Sequence, residues 1–205
     1  MPVTTERECD QLLVERAQAG DRAAFDLLVE KYQRRLMRLV SRLVHDQAEA
    51  EDVVQDTFIK AYRALRHFRG DAAFYTWLYR IGINTAKNVL VAQGRKTTHL
   101  PPDQSPDKGD MYEDMEYLRD IDTPEAMFAT KQIAITVNSA MDGLPLELRT
   151  AIVLRELEGM SYEEISEVMA CPIGTVRSRI FRAREAIAEK LRPLLETKVD
   201  KRRQP

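Results

Sequence analysis

Residues 161–184 read Ser161-Tyr162-Glu163-Glu164-Ile165-Ser166-Glu167-Val168-Met169-Ala170-Cys171-Pro172-Ile173-Gly174-Thr175-Val176-Arg177-Ser178-Arg179-Ile180-Phe181-Arg182-Ala183-Arg184. Ser161 followed three residues later by Glu164 spells a capping box, which starts a short helix to about Met169. Ala170 to Gly174 turns the chain into a last helix, about Thr175 to Leu191, ending before Pro193. Ile165, Val168 and Met169 pack inward, with Val176, Ile180, Ala183 and Ile187 as the inner stripe of the last helix. The whole is a helix-turn-helix. Arg177, Ser178, Phe181, Arg182 and Arg184 take outward or flanking positions. A stripe of guanidinium and hydroxyl groups suits the major groove, and Thr175 with the first amides of the helix can hold a phosphate. The plainer alternative is a helical hairpin with solvated arginines.

Outward from this unit, hydrophobic periodicity is helical and never alternates over any length. Upstream, Thr123-Pro124 marks a helix start. That helix runs to about Met141, Gly143-Leu144-Pro145 breaks it, and another covers about Leu146 to Glu158. Near the N-terminus, one helix fits Asp10 to Ala19, closed by Gly20. Asp21 caps a second, with Phe25, Leu28, Val29, Tyr32, Leu36, Leu39, Val40 and Leu43 on its apolar side. Asp46 and Glu49 open a third, to about Leu65, with Val53, Val54, Phe58, Ile59, Tyr62 and Leu65 inward. A fourth spans about Ala73 to Gln93 and stops at Gly94. The expected fold class is all-α: a four-helix domain over 9–96, a linker over 97–122 and a second helical domain over 123–197. The segment 97–122 carries Pro101, Pro102, Pro106 and Gly109 among acids, the composition of a flexible linker.

The chain has 205 residues and a formal net charge of -2, which conceals a partition. Residues 60–99 hold 8 basic and 1 acidic side chains, and residues 171–205 hold 10 and 4. Between them, residues 100–128 hold 2 basic and 9 acidic. Two basic blocks flank an acidic connector, a pattern that attracts phosphate and discourages folding as one unit. No apolar run is long enough for a membrane span or a signal peptide, so the chain reads as cytoplasmic and without membrane insertion. Two distant cysteines, Cys9 and Cys171, and three scattered histidines build neither a disulfide framework nor a metal site. Cys9, in a disordered end, reads as inert and Cys171 as a small packing residue. No cofactor motif is present, nor any nucleophile-base pair, so the chain does not read as an enzyme.

Two surfaces stand out in the first domain. Glu49, Glu51, Asp52, Gln55 and Asp56 crowd the start of the third helix, where acids complement the helix dipole and equally suit a docking face for a partner. Phe68-Arg69-Gly70-Asp71 leads into Phe74-Tyr75-Thr76-Trp77-Leu78-Tyr79-Arg80 and Asn84-Thr85-Ala86-Lys87-Asn88. Aromatics interleaved with cations and asparagine stack bases and track a backbone, the chemistry of single-stranded nucleic acid binding. Phe74 and Trp77 also serve a core.

The combination Asp52-Val53-Val54-Gln55-Asp56-Thr57-Phe58, Phe68-Arg69-Gly70-Asp71, Phe74-Tyr75-Thr76-Trp77-Leu78-Tyr79-Arg80-Ile81 and Gly174-Thr175-Val176-Arg177-Ser178-Arg179 resembles the extracytoplasmic-function sigma factors of bacterial RNA polymerase, within them the sigma-E envelope-stress group. The resemblance implies two helical domains, regions 2 and 4. It implies docking of Asp52, Gln55, Asp56, Phe58 and Lys60 on the clamp coiled coil of the largest polymerase subunit, with the flap as a second polymerase contact. Phe68, Arg69, Gly70, Asp71 and Ala72, with Trp77, Arg80, Asn84 and Lys87, would capture the melted strand of the -10 element, an extruded base sitting in a pocket. Arg155, Tyr162, Thr175, Arg177, Ser178, Phe181 and Arg182 would serve the -35 duplex. The linker acids would thread toward the template-strand path, and an anti-sigma factor, membrane-anchored, would hold the protein inactive. The rival readings are a stand-alone helix-turn-helix regulator with a helical sensing domain, and an interaction protein using the acidic helix alone.

Overall fold

The computed structural model describes residues 6–97 and 124–201 of the chain. Among them are α1 (Glu6–Gln18), α2 (Arg22–Ser41), α3 (Gln47–Ala64), a 3-10 turn (Leu65–His67), α4 (Phe74–Thr97), α5 (Pro124–Asp142), α6 (Leu146–Glu156), α7 (Tyr162–Met169) and α8 (Ile173–Lys201). The described residues contain no strand. Residues 1–5, 98–123 and 202–205 lie outside the described residues, and with them nearly all of the expected linker 97–122 and its acids expected to thread toward the template-strand path.

Local signals explain most boundaries. Gly20 takes φ +101°, and Asp21 then caps α2 by accepting from the Ala24 amide. Arg16 donates to the same Asp21 carboxylate at 2.6 Å, and chiefly that bond holds its carboxyl below the usual range. Asp46 caps α3 through the Glu49 amide at 2.9 Å. The Glu49 side chain does not return the bond; it accepts from Gln93 of α4 instead. Two stops fail. α4 runs through Gly94 and α8 through Pro193, because an interior glycine costs only about 1 kcal/mol against alanine. A proline removes one hydrogen bond at about 3 kcal/mol, and the remaining turns carry it. Cys9 lies exposed on α1, not in a disordered end.

The first bundle closes around Leu28, Leu36, Leu39, Leu78 and Ile83, each fully buried. α1 is fastened to α2 by Asp10, 4% exposed, which accepts from Lys31 at 2.5 Å and from the Tyr32 hydroxyl. Burying a carboxylate is tolerable only with such partners. A Cβ at Gly82 would lie 2.8 Å from Leu36 Cδ1, so α4 approaches α2 more closely than any side chain permits. In the second bundle, Leu154, Met160, Ile165, Val176 and Ile180 form the core. Buried Arg149 ties off the α5–α6 corner, donating to the Asp142 and Leu144 carbonyls at 2.5 and 3.2 Å.

The charge partition suggests two units that stay apart, and here the structure differs. α7 packs on α4, and the buried apolar residues of both bundles form one continuous cluster. Apolar and hydroxyl-bearing surface on α4 outweighs the repulsion between basic blocks, because acids of the second bundle meet that surface.

Candidate nucleic-acid and polymerase-docking surfaces

The helix-turn-helix forms as its residues require. The Ser161 side chain accepts from the Glu164 amide at 3.1 Å, and the Glu164 carboxylate accepts from the Ser161 amide at 2.8 Å, completing the capping box. α7 ends at Ala170 in the left-handed region, φ 50°. Ser166 clamps the turn by donating to the Cys171 carbonyl at 2.6 Å, while the Cys171 sulfur accepts from Arg179 at 3.3 Å. On α8, Val176, Ile180 and Ala183 are buried, and Arg177, Ser178, Phe181 and Arg182 are exposed. Phe181 is 65% exposed, a large apolar group in water at the centre of the stripe. Arg184 is held by Glu156 at 2.6 Å and does not join it.

Arg155, Tyr162 and Arg177 come from three helices and meet in one stack. The Arg155 guanidinium lies 4.9 Å from the Tyr162 ring centroid and that of Arg177 lies 5.6 Å from it. Arg155 also donates to the Met160 carbonyl at 2.7 Å. The ring thus fixes two cations beside the open stripe of α8, an arrangement able to bind phosphate or a guanine edge. Thr175 is half-buried at the N-terminal end of α8, its amide already accepted by the Pro172 carbonyl at 2.9 Å.

In the first bundle, Phe68 packs on Trp77 at 4.9 Å between ring centroids and on Phe74 at 6.1 Å. Phe74 is core, at 4% exposure, whereas Phe68 and Trp77 are half-buried. Arg69 and Asp71 are exposed, with Gly70 and Ala72 half-buried between and beside them. Gly70 has φ +77°, a conformation that favours glycine. Gln18 of α1 holds this loop from outside, donating to the Leu65 and Phe68 carbonyls, each at 2.8 Å. Sequence reading missed Gln18, since a glutamine at a helix end carries no local signal. Trp77, Arg80, Asn84 and Lys87 follow one another at three- and four-residue steps on α4, with Arg80 and Asn84 exposed. Lys87 is instead half-buried against Glu147 of α6, at 2.8 Å.

α3 turns Asp52, Gln55, Asp56 and Lys60 to solvent. Lys60 pairs with Asp56 at 2.7 Å and donates to Thr85 of α4 at 3.1 Å. A groove of about 340 Å³ runs between the two helices along Glu49, Asp52, Val53, Asp56, Thr85 and Val89. Phe58, expected with the docking residues, is 8% exposed and belongs to the core. Ile59 and Tyr62, expected inside, are 49% and 44% exposed. The buried set is Ala50, Val53, Val54, Thr57, Phe58 and Ala61, a regular three-and-four stripe from which positions 59 and 62 depart by one residue. That spacing was the available signal for an exposed face of mixed apolar and acidic character.

The chain is similar to known proteins over both bundles. Residues 28–96 match the family description "Sigma-70 region 2" and residues 135–187 match "Sigma-70, region 4". It is 58% identical to the RNA polymerase sigma-H factor of Pseudomonas aeruginosa over 92% of this chain and 97% of that one. It is 53% identical to the ECF RNA polymerase sigma-E factor of Escherichia coli K12, over 93% and 98% of the two chains. Among solved structures, CnrH in complex with the cytosolic domain of CnrY matches with a TM-score of 0.64 at 27% identity, covering 90% of this chain and 98% of that chain. With an all-α two-bundle fold, an arginine-bearing helix-turn-helix and an aromatic loop against α4, the chain belongs to the extracytoplasmic-function sigma factors of bacterial RNA polymerase, which direct promoter-specific initiation of transcription.

Proposed function

We propose that the three surfaces divide the work of initiation. Asp52, Gln55, Asp56 and Lys60, with Ile59 and Tyr62 beside them, dock on core polymerase. The 68–72 loop with Trp77, Arg80, Asn84 and Lys87 takes the melted -10 strand. Arg155, Tyr162, Arg177, Ser178, Phe181 and Arg182 hold the -35 duplex, with Thr175 at its phosphate. The observation that carries this reading is the α8 stripe, where every predicted reader from Arg177 to Arg182 is exposed while Val176 before them and Ile180 among them are buried. The exposed acids of α3 thus stay apart from the arginine stripe of α8, as different partners require.

The chain acts in the cytoplasm on envelope-stress promoters and has no catalytic step of its own. A membrane-anchored anti-sigma factor controls it, a reading supported by the sigma-E names of relatives and by the cytosolic CnrY domain bound to CnrH. The test is transcription by purified core polymerase, with and without the protein, on a promoter library sequenced at its start sites. New starts sharing two spaced upstream elements are expected. No added starts, with tight polymerase-free duplex binding, would overturn the reading.

A further inference from the structure

Helix α1 borders the loop assigned to the melted strand and touches it at two places. Gln18 donates through its side-chain nitrogen to the Leu65 carbonyl and to the Phe68 carbonyl, each at 2.8 Å. Two turns earlier on the same edge of the helix, the Gln11 side chain lies against Gly70, where a Cβ would sit 3.4 Å from its Oε1. Gln11 is itself steadied by Glu15, to which it donates at 3.0 Å. The helix that carries these side chains is fixed in turn. Val14 is buried, and Asp10 takes both Lys31 and Tyr32 of α2.

These contacts pin one end of the loop and leave its middle unsupported. The Phe68 amide donates to the Leu65 carbonyl at 2.9 Å, and the Phe68 carbonyl is taken by Gln18, so the backbone of this residue is held on both sides. Its ring has only side-chain torsions left to settle, and it rests 4.9 Å from Trp77 and 6.1 Å from Phe74 between centroids. At the other end α4 begins, with the Trp77 amide bonded to the Ala73 carbonyl at 3.2 Å. Between these posts, Arg69 to Ala72 make no hydrogen bond or ion pair with any described residue. A span fixed only at its ends takes its shape from those ends. An aromatic platform already in place binds a base at full strength, whereas a loop that must first find its shape binds in proportion to the fraction already shaped. Two hydrogen bonds of ordinary worth hold that fraction up, and losing both lowers it about tenfold.

We propose that Gln18 is a positioning residue for strand capture, presetting the 68–72 loop so that Phe68 and Trp77 meet an extruded base without reorganising. The proposal rests on the reading of that loop as the -10 surface. The test uses holoenzyme and a single-stranded oligonucleotide of the -10 sequence found in the start-site library, compared with the same strand made abasic at one position after another. In the parent, base removal is expected to cost most at one position. Gln18→Met keeps the length of the side chain and removes the donor. It should bind the intact strand about tenfold more weakly than the parent does, and the strand abasic at that position equally well. Its affinities for the -35 duplex and for core polymerase should match the parent's. Gln18→Lys restores a donor and should recover most of the parent's ratio of intact to abasic binding, a ratio that a uniform gain from the added charge leaves alone. Should the methionine variant fail to fold, Gln18→Glu, of the same shape as glutamine and without the donor, answers the same question. Parental discrimination in the methionine variant, an equal loss on intact and abasic strands, or a lysine variant no better than methionine overturns the positioning role. A parent indifferent to abasic sites at every position would instead overturn the reading of the loop as the -10 surface, and the proposal with it.

Discussion

The Tyr162 stack makes a quantitative demand. Replacing Tyr162 with alanine removes the ring lying 4.9 and 5.6 Å from two guanidinium groups but leaves both charges in place. Each contact at a partly exposed site contributes about 0.5–1 kcal/mol. Freed arginines must also be ordered again on binding, at about 0.5–1.5 kcal/mol for each long side chain. Arg155 keeps its bond to the Met160 carbonyl, so Arg177 bears most of that second cost. The sum for promoter binding is about 1.5–3.5 kcal/mol, or roughly 10- to 400-fold in affinity. Tyr162→Phe keeps the ring face and should stay within about twofold of the parent. The assay is holoenzyme binding to a labelled duplex carrying the -35 element, measured across a salt series. Because no cation is lost, the salt slope should not change. If the phenylalanine variant loses as much as the alanine variant, the hydroxyl rather than the stack is responsible and the reasoning fails.

Other expectations follow from particular contacts. Gly82→Ala forces a methyl group against Leu36 Cδ1, where the gap is 2.8 Å; overpacking of this kind costs about 1–3 kcal/mol, read as a lower melting temperature. Phe58→Ala should cost about 3–5 kcal/mol of stability, whereas Ile59→Ala should leave the melting temperature near the parent's and weaken binding to core polymerase; equal losses of stability would refute the assignment of inner and outer faces. Asn84→Ala, at an exposed position on α4, should impair open-complex formation more than initial -35 binding, and normal opening would remove Asn84 from strand capture. The Tyr75–Glu164 pair sets a pH window. Burial alone would raise the Glu164 carboxyl, but the Tyr75 hydroxyl and Ser161 outweigh it and hold it below the ordinary value of 4.5. Burial first, and then Glu164, push Tyr75 up to about 12. The pair's contribution is therefore complete above the ordinary carboxylate value and below the ordinary tyrosine value of 10.0. It is lost as pH falls through the depressed Glu164 value or rises through about 12. Glu6, Arg7, Arg35 and Glu158 line the same cavity. Scattering followed against pH should show a constant radius across the neutral range, and opening near about pH 6 would contradict this.

The parts of the fold legible in the sequence are those fixed by neighbouring residues. Asp21, Asp46 and Ser161 cap the helices they precede, because a cap is decided within four residues. The α8 stripe was equally plain, since three-and-four spacing separates Val176 and Ile180 from Arg177 and Arg182 without reference to anything else. Reading failed where the deciding partner is distant. Ile59 and Tyr62 are as apolar as their inner neighbours, and only the packing of α2 and α4 tells the two sets apart. The Glu49 carboxylate had two suitors, its own cap and Gln93, 44 residues away. The joining of the bundles was invisible for the same reason. Tyr79 reads as one of the base-stacking aromatics and Glu158 as the end of a helix, and nothing local marks them as a pair, although the Tyr79 hydroxyl donates to Glu158 at 2.6 Å.

Gln18 has a consequence for how promoter preference can change. It grips the 68–72 loop by the main-chain carbonyls of Leu65 and Phe68, and Gly70 supplies the bend. The shape of the loop is thus set by a helix that precedes it by 50 residues and by one backbone conformation. The side chains of Arg69 and Asp71, both exposed, contribute little to that shape. Base preference and loop geometry are therefore separable traits. Under the proposed strand capture, substitutions at 69 and 71 should redirect the protein to other -10 sequences with the melting temperature unchanged, whereas Gln18→Ala should weaken open-complex formation on all of them.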